Sequence, residues 1–183
     1  ELTASPDLGF WTGPRGSQHD FRTAAHALEV KATLVREGRV ISISSGDQLD
    51  STDYVDLSLI HIRFERDPAG TNLSESVARV LDAGASTNKL ADLMLEVGIG
   101  ISGVSEYDED RFRVVETRCY DVKAPGFPRI TRNSFYGDQI PPGTLRLRYS
   151  IDLTNEPPSP MSAEAEEAIL AAIAEESRNE MDS

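Results

Sequence analysis

Residues Tyr54 to Phe64 read Tyr-Val-Asp-Leu-Ser-Leu-Ile-His-Ile-Arg-Phe, with apolar side chains on both faces of an extended chain over the second half. A run of this kind is expected of a strand covered on two sides, and it predicts the central strand of the fold. Ala27 to Leu34 alternates instead, with Leu28, Val30, Ala32 and Leu34 on one face and Glu29, Lys31 and Thr33 on the other. Glu29 and Lys31 therefore project together. Arg39 to Ser44 follows across Glu37-Gly38, a turn that predicts an antiparallel hairpin with the preceding strand. Upstream, Gly13, Pro14 and Gly16 punctuate residues 10–20 as a loop leading into this ordered region.

Helical spacing takes over after the central strand. Asn72 with Glu75 makes a capping box, and Val77, Val80 and Leu81 give a stripe that stops at Gly84, so a helix is expected over residues 73–83. Leu90, Leu93, Met94 and Val97 repeat the spacing between Thr87 and Gly98 as a second covering helix. Strands return at Phe112 to Val122 and Leu145 to Leu153, joined by a loop that holds Pro125 to Arg132 and Pro141-Pro142-Gly143. Pro157, Pro158 and Pro160 break the chain before Ser162 caps a final helix, Ala163 to Ser177, which reads as peripheral. The expected division is one domain over residues 1–153, then a proline-rich linker and acidic helix over 154–183.

A chain of 183 residues can bury a core without disulfides or structural metal, and no apolar run approaches the roughly 20 residues of a membrane-spanning helix. Glu1 to Gly9 carry neither the positive nor the apolar region of a signal peptide, and Cys119 is the sole cysteine. A bacterial-type cytoplasm is the expected compartment. The chain opens on Glu1, as expected of a piece of a longer protein. The net charge of −13 argues against a nucleic-acid partner until its distribution is followed. Residues 154–183 hold eight acids against Arg178 alone, whereas residues 111–150 hold eight bases against Glu116, Asp121 and Asp138. Arg129, Arg132, Arg146 and Arg148 of that basic segment are the expected DNA contacts.

Hydrolysis of a phosphodiester at neutral pH calls for a cation that polarises the phosphoryl oxygen and lowers the pKa of an attacking water. Mg²⁺ takes one or two carboxylates together with waters and substrate phosphate, and Asp20 with Glu29 on neighbouring strands can supply them. Lys31, two residues beyond Glu29 on one strand face, can orient the water or stabilise charge on the phosphorus. Asp20 followed by Glu29-Val30-Lys31 resembles the Asp…(Asp/Glu)-x-Lys signature of the PD-(D/E)XK nucleases, with His19 where the usual proline stands. Trp11-Thr-Gly-Pro-Arg-Gly, His19-Asp20-Phe21 and Ala27-Leu-Glu-Val-Lys-Ala-Thr33 together resemble the PD-(D/E)XK motif proteins of bacterial restriction-like systems. The likeness extends over about residues 9–66. It implies an α/β, restriction-endonuclease-like fold, a mixed central sheet flanked by helices. It implies a metal-dependent DNA endonuclease of a restriction or phage-defence system, using Mg²⁺ with Mn²⁺ as its substitute. Its implied partners are DNA, methyltransferase, helicase or MORC-type ATPase subunits, and a second copy in a homodimer. Family members usually carry a longer region ahead of the motif, with a helix that can donate a further acid.

Each residue also has a plainer role open to it. Glu29 and Lys31 fit an exposed cross-strand charge pattern, and Asp20 fits a turn cap after a glycine-rich loop. Gln48 stands either as an accessory polar group near the metal or as a loop glutamine. His61 fits a hydrogen-bonded core histidine, and Trp11 an anchoring aromatic. His19, His26 and His61 are not spaced as a metal cluster, and Gly98 to Gly103 lacks the Gly-Lys-Ser/Thr of a phosphate loop. At the level of the whole protein, a non-catalytic DNA-binding or scaffolding subunit and an acidic interaction module stand beside the nuclease.

Overall fold

The computed structural model describes residues 8–156 and 158–181. Most of the leader segment, Pro157 of the proline-rich break and Asp182 of the acidic tail lie outside the described residues. In chain order the strands are β1 (Phe21–Arg22), β2 (His26–Thr33), β3 (Val40–Ile43), β4 (Asp56–Thr71), β5 (Phe112–Asp121) and β6 (Tyr149–Asp152). The helices are α1 (Leu73–Asp82), α2 (Thr87–Glu96) and α3 (Ala163–Met181). A four-stranded sheet has the order β1-β2-β4-β5, and β3 pairs with β6 in a second sheet. Because β2 runs parallel to β4 while β1 and β5 pair antiparallel, the central sheet is mixed. This is the restriction-endonuclease-like α/β architecture that the resemblance implied.

The double-sided strand is central, as its composition predicts. Leu57, Leu59 and His61 on one face of β4 and Ser58 on the other are all at most 1% exposed. The strand also runs beyond Phe64 to Thr71, still paired antiparallel with β5, which returns after both helices. The predicted β2–β3 hairpin does not form. β2 buries residues on both faces, Ala27 and Glu29 on one and Leu28 on the other, and takes β4 as its partner. Parallel pairing needs a long crossover, and β3 lies within it. β3 buries only one face, with Ile41 and Ile43 inward and Ser42 exposed, which suits a covering layer. Ile41, Ile43, Ile151 and Leu153 pack with Ala27, Leu57, Leu59, Tyr120 and Val122 as one core.

α1 begins at the predicted capping box, with Glu75 N donating to Asn72 Oδ1 at 2.8 Å. α2 buries Leu90, Leu93 and Met94. The final helix is not peripheral: Ile173 is buried, and Glu176 accepts from Ala25 N at 3.0 Å and from Thr23 Oγ1, and lies 2.8 Å from His26 Nδ1. Its inward residues recur at helical spacing within an acidic stretch, and the weak apolar stripe hid this docking. Among the described residues no helix is long and apolar enough to cross a membrane.

Candidate active site

Alternation along β2 puts Glu29 and Lys31 on the face that looks toward the covering sheet, so both sit at the mouth of the core rather than on an open surface. Glu29 is 2% exposed. Lys31 Nζ lies 2.7 Å from Glu29 Oε1, and Gln48 Nε2 donates to the same oxygen at 2.8 Å. Gln48 is aimed by its own carbonyl oxygen, which accepts from Ser44 N at 2.8 Å at the end of β3. The 3-10 turn Gly46–Leu49 that follows β3 thus delivers an amide donor to an acid of the central sheet.

Asp20 arrives from the loop ahead of β1. Its Oδ2 accepts from Val30 N at 2.8 Å, which places the carboxylate against the strand between Glu29 and Lys31. The loop is held by its backbone: Thr12 N and Gly13 N donate to Asp20 O at 2.8 and 2.9 Å. A Cβ at Gly13 would meet Asp20 Oδ1 at 2.7 Å and Asp20 Cα at 3.0 Å, so only glycine allows this approach. The sequence signal for Gly13 was a generic Gly-Pro turn, and nothing local indicated that the turn packs on an acid ten residues from Val30.

Burial raises the Glu29 carboxyl to a pKa of about 7; the Lys31 ammonium opposes that rise and the Asp20 charge adds to it. Each acid keeps one oxygen, Asp20 Oδ1 and Glu29 Oε2, without a hydrogen bond among the described residues. No three His, Cys, Asp or Glu side chains converge as a metal cage among those residues. His19 is buried edge-on to Tyr54, ring centroids 5.1 Å apart, and burial lowers its pKa. His61 is likewise fully buried.

The basic segment does not form one free face. Arg132 Nε is committed to the buried Asp50 carboxylate at 2.7 Å, and Arg129 Nη1 donates to Ser51 Oγ at 3.0 Å. Arg111 pairs with Glu75, Arg113 with Glu65 and Asp67, and Arg118 with Glu116. Arg146 and Arg148 are exposed and carry no ion pair among the described residues.

Comparison with known proteins returns one family, described as "Putative PD-(D/E)XK family member, (DUF4420)", which matches residues 1–154. No curated protein and no solved structure matches the chain.

Proposed function

The chain belongs to the DUF4420 family of the PD-(D/E)XK group, and from that premise we propose that it is a metal-dependent DNA endonuclease of a bacterial restriction or phage-defence system. The observation that supports this reading is that Lys31 and Gln48 both meet the buried Glu29 carboxylate while Asp20 is seated on the N–H of Val30, the residue between Glu29 and Lys31. A surface charge pattern would not bury Glu29 at 2% exposure or hold its pKa near 7. Those residues fit Mg²⁺ or Mn²⁺, which needs only one or two carboxylates and fills its other positions with water and phosphate. Asp20 and Glu29 would hold the ion through the oxygens left open. Bound there, it would polarise the phosphoryl group and acidify a water.

The protein's own groups do the rest. Gln48 fixes the Glu29 carboxylate, Val30 N fixes that of Asp20, and Lys31 supplies a positive charge and a donor where the phosphoryl group gains negative charge. Arg146 and Arg148 are the arginines of the basic segment free to meet DNA phosphates. Methyltransferase, helicase or MORC-type ATPase subunits, and a second copy of the chain, are the partners this reading assigns. The test is cleavage of plasmid DNA with Mg²⁺ by the full protein together with such partners, wild type against Lys31→Ala. Undiminished cleavage by that variant would move the chemistry to another subunit and leave this chain a scaffold.

A further inference from the structure

The loop of residues 135–148, which leads into β6, packs beside the turn that carries Gln48. Gly46 is the point of contact: a Cβ there would meet Leu147 Cδ2 at 3.0 Å and Ile140 Cδ1 at 3.8 Å. Ile140 and Leu147 thus close on backbone two residues from Gln48, and residues 141–146 between them are all exposed. Two tight turns shape the loop. Thr144 N donates to Pro141 O at 3.1 Å, with Pro142 at the first corner and Gly143 at φ +89° at the second. Asp138 N donates to Phe135 O at 3.1 Å across Tyr136 and Gly137, the glycine at φ +72°. Both glycines hold the left-handed conformation such corners require.

These turns hold large side chains out in solvent. Tyr136 is fully exposed and Leu145 is 98% exposed, the two most exposed large hydrophobic side chains among the described residues. Arg146 and Arg148, on either side of the anchored Leu147, are exposed and carry no ion pair among those residues. Asp138 is the only acid of residues 135–148. One apolar side chain on a surface is ordinary. Two on one stiff loop, beside two unpaired guanidiniums and next to the turn of Gln48, suit a partner that offers phosphates and flat apolar faces together. Stacked DNA bases between phosphates are such a partner.

We propose that the loop of residues 135–148 seats DNA at the rim of the active site, with Leu145 and Tyr136 wedged against base faces and Arg146 and Arg148 on the flanking phosphates. This rests on the nuclease reading and adds how the substrate is held. A leucine entering a base step unstacks it partly, and a tyrosine ring can cover a base face so exposed. Because the two turns already fix the backbone, little ordering is needed on binding. Contacts of this kind meet base faces rather than their hydrogen-bonding edges, so the loop positions DNA of many sequences.

The experiment measures affinity of the full protein for a duplex carrying 2-aminopurine at successive positions, across a salt series, with Ca²⁺ replacing Mg²⁺ to hold the DNA uncut. Tyr136→Ala and Leu145→Ala are each expected to weaken binding about tenfold without changing the slope of log K against log salt. Arg146→Gln and Arg148→Gln should each lower that slope by about 0.9. Wild-type protein should brighten 2-aminopurine at one step, as unstacking does, and Leu145→Ala should remove that rise. Tyr136→Phe keeps the ring and should bind as wild type does. Wild-type affinity in either alanine variant, or a loss equally large in Tyr136→Phe, would overturn the proposal and leave the nuclease reading intact, with the loop free to meet a protein subunit instead. A wild-type protein that binds no DNA would overturn the nuclease reading and the loop's role with it.

Discussion

The Asp20 carboxylate accepts a hydrogen bond from the backbone N–H of Val30 at 2.8 Å, tying an acid ahead of β1 to the residue between Glu29 and Lys31. The donor is main chain, so the tie does not depend on the Val30 side chain. It depends on the loop being able to come that close, and Gly13 is where the loop and Asp20 touch.

Gly13→Ala should therefore act on the site from outside it. The added methyl must displace Asp20 backbone, and such overpacking costs about 1–3 kcal/mol. Urea unfolding should show that loss, and Mn²⁺ titration should show weakened binding. Val30→Ala should keep Mn²⁺ affinity. A Gly13→Ala protein with wild-type stability and wild-type Mn²⁺ affinity would mean that Asp20 is not held in this way.

Lys31 and the two acids should separate in their effects. Lys31→Ala is expected to slow single-turnover cleavage by about a hundredfold or more while Mn²⁺ still binds. Asp20→Ala and Glu29→Gln should lose the ion as well. Binding is best measured above about pH 8, because removing Lys31 takes away a charge that helps Glu29 ionise. Cleavage that survives all three substitutions would place the chemistry elsewhere.

Glu29 should make stability fall with rising pH. Its folded pKa of about 7 lies above the ordinary 4.5, so between those values the folded state keeps a proton that the unfolded state has lost. Stability declines across that window and levels off above it. Glu29→Gln removes the decline and should gain on the order of 3 kcal/mol over wild type between pH 4.5 and 8, read from urea midpoints. Parallel pH profiles for the two proteins would show that Glu29 titrates normally.

Glu116 should behave in the opposite sense. The Arg39 hydrogen bonds hold its pKa down at about 2, so its contribution is present above about 4.5 and is lost as pH falls toward 2. Glu116→Gln should cost about 2 kcal/mol at pH 7, as expected for a charge-assisted pair that is mostly buried. The gap from wild type should close on acidification. A pH-independent gap would assign the loss to packing instead.

What was local in the chain could be read from it. The Asn72–Glu75 capping box, the helix stops at Gly84 and Gly98, and the alternation of β2 each depend on residues a few positions apart, and each stands where expected. The β2–β3 hairpin failed because Glu37-Gly38 signals a turn but not which strands pair across it. Pairing followed burial, and β2, covered on both faces, took β4. The docking of α3 was hidden for a similar reason, since Glu176 reads as one acid among many until Thr23, Ala25 and His26 are placed opposite it.

From the sequence alone, the two-residue period of a strand determined that Glu29 and Lys31 share a face, and the chain order put Asp20 one turn away from them. Only the tertiary structure decided that this face is the covered one. Aiming Gln48 at Glu29, seating Asp20 on Val30 N and closing Arg39 on Glu116 join residues 19, 10 and 77 positions apart in the chain. A pKa near 7 comes from lost solvent and assembled charges, which exist only once the two sheets have packed.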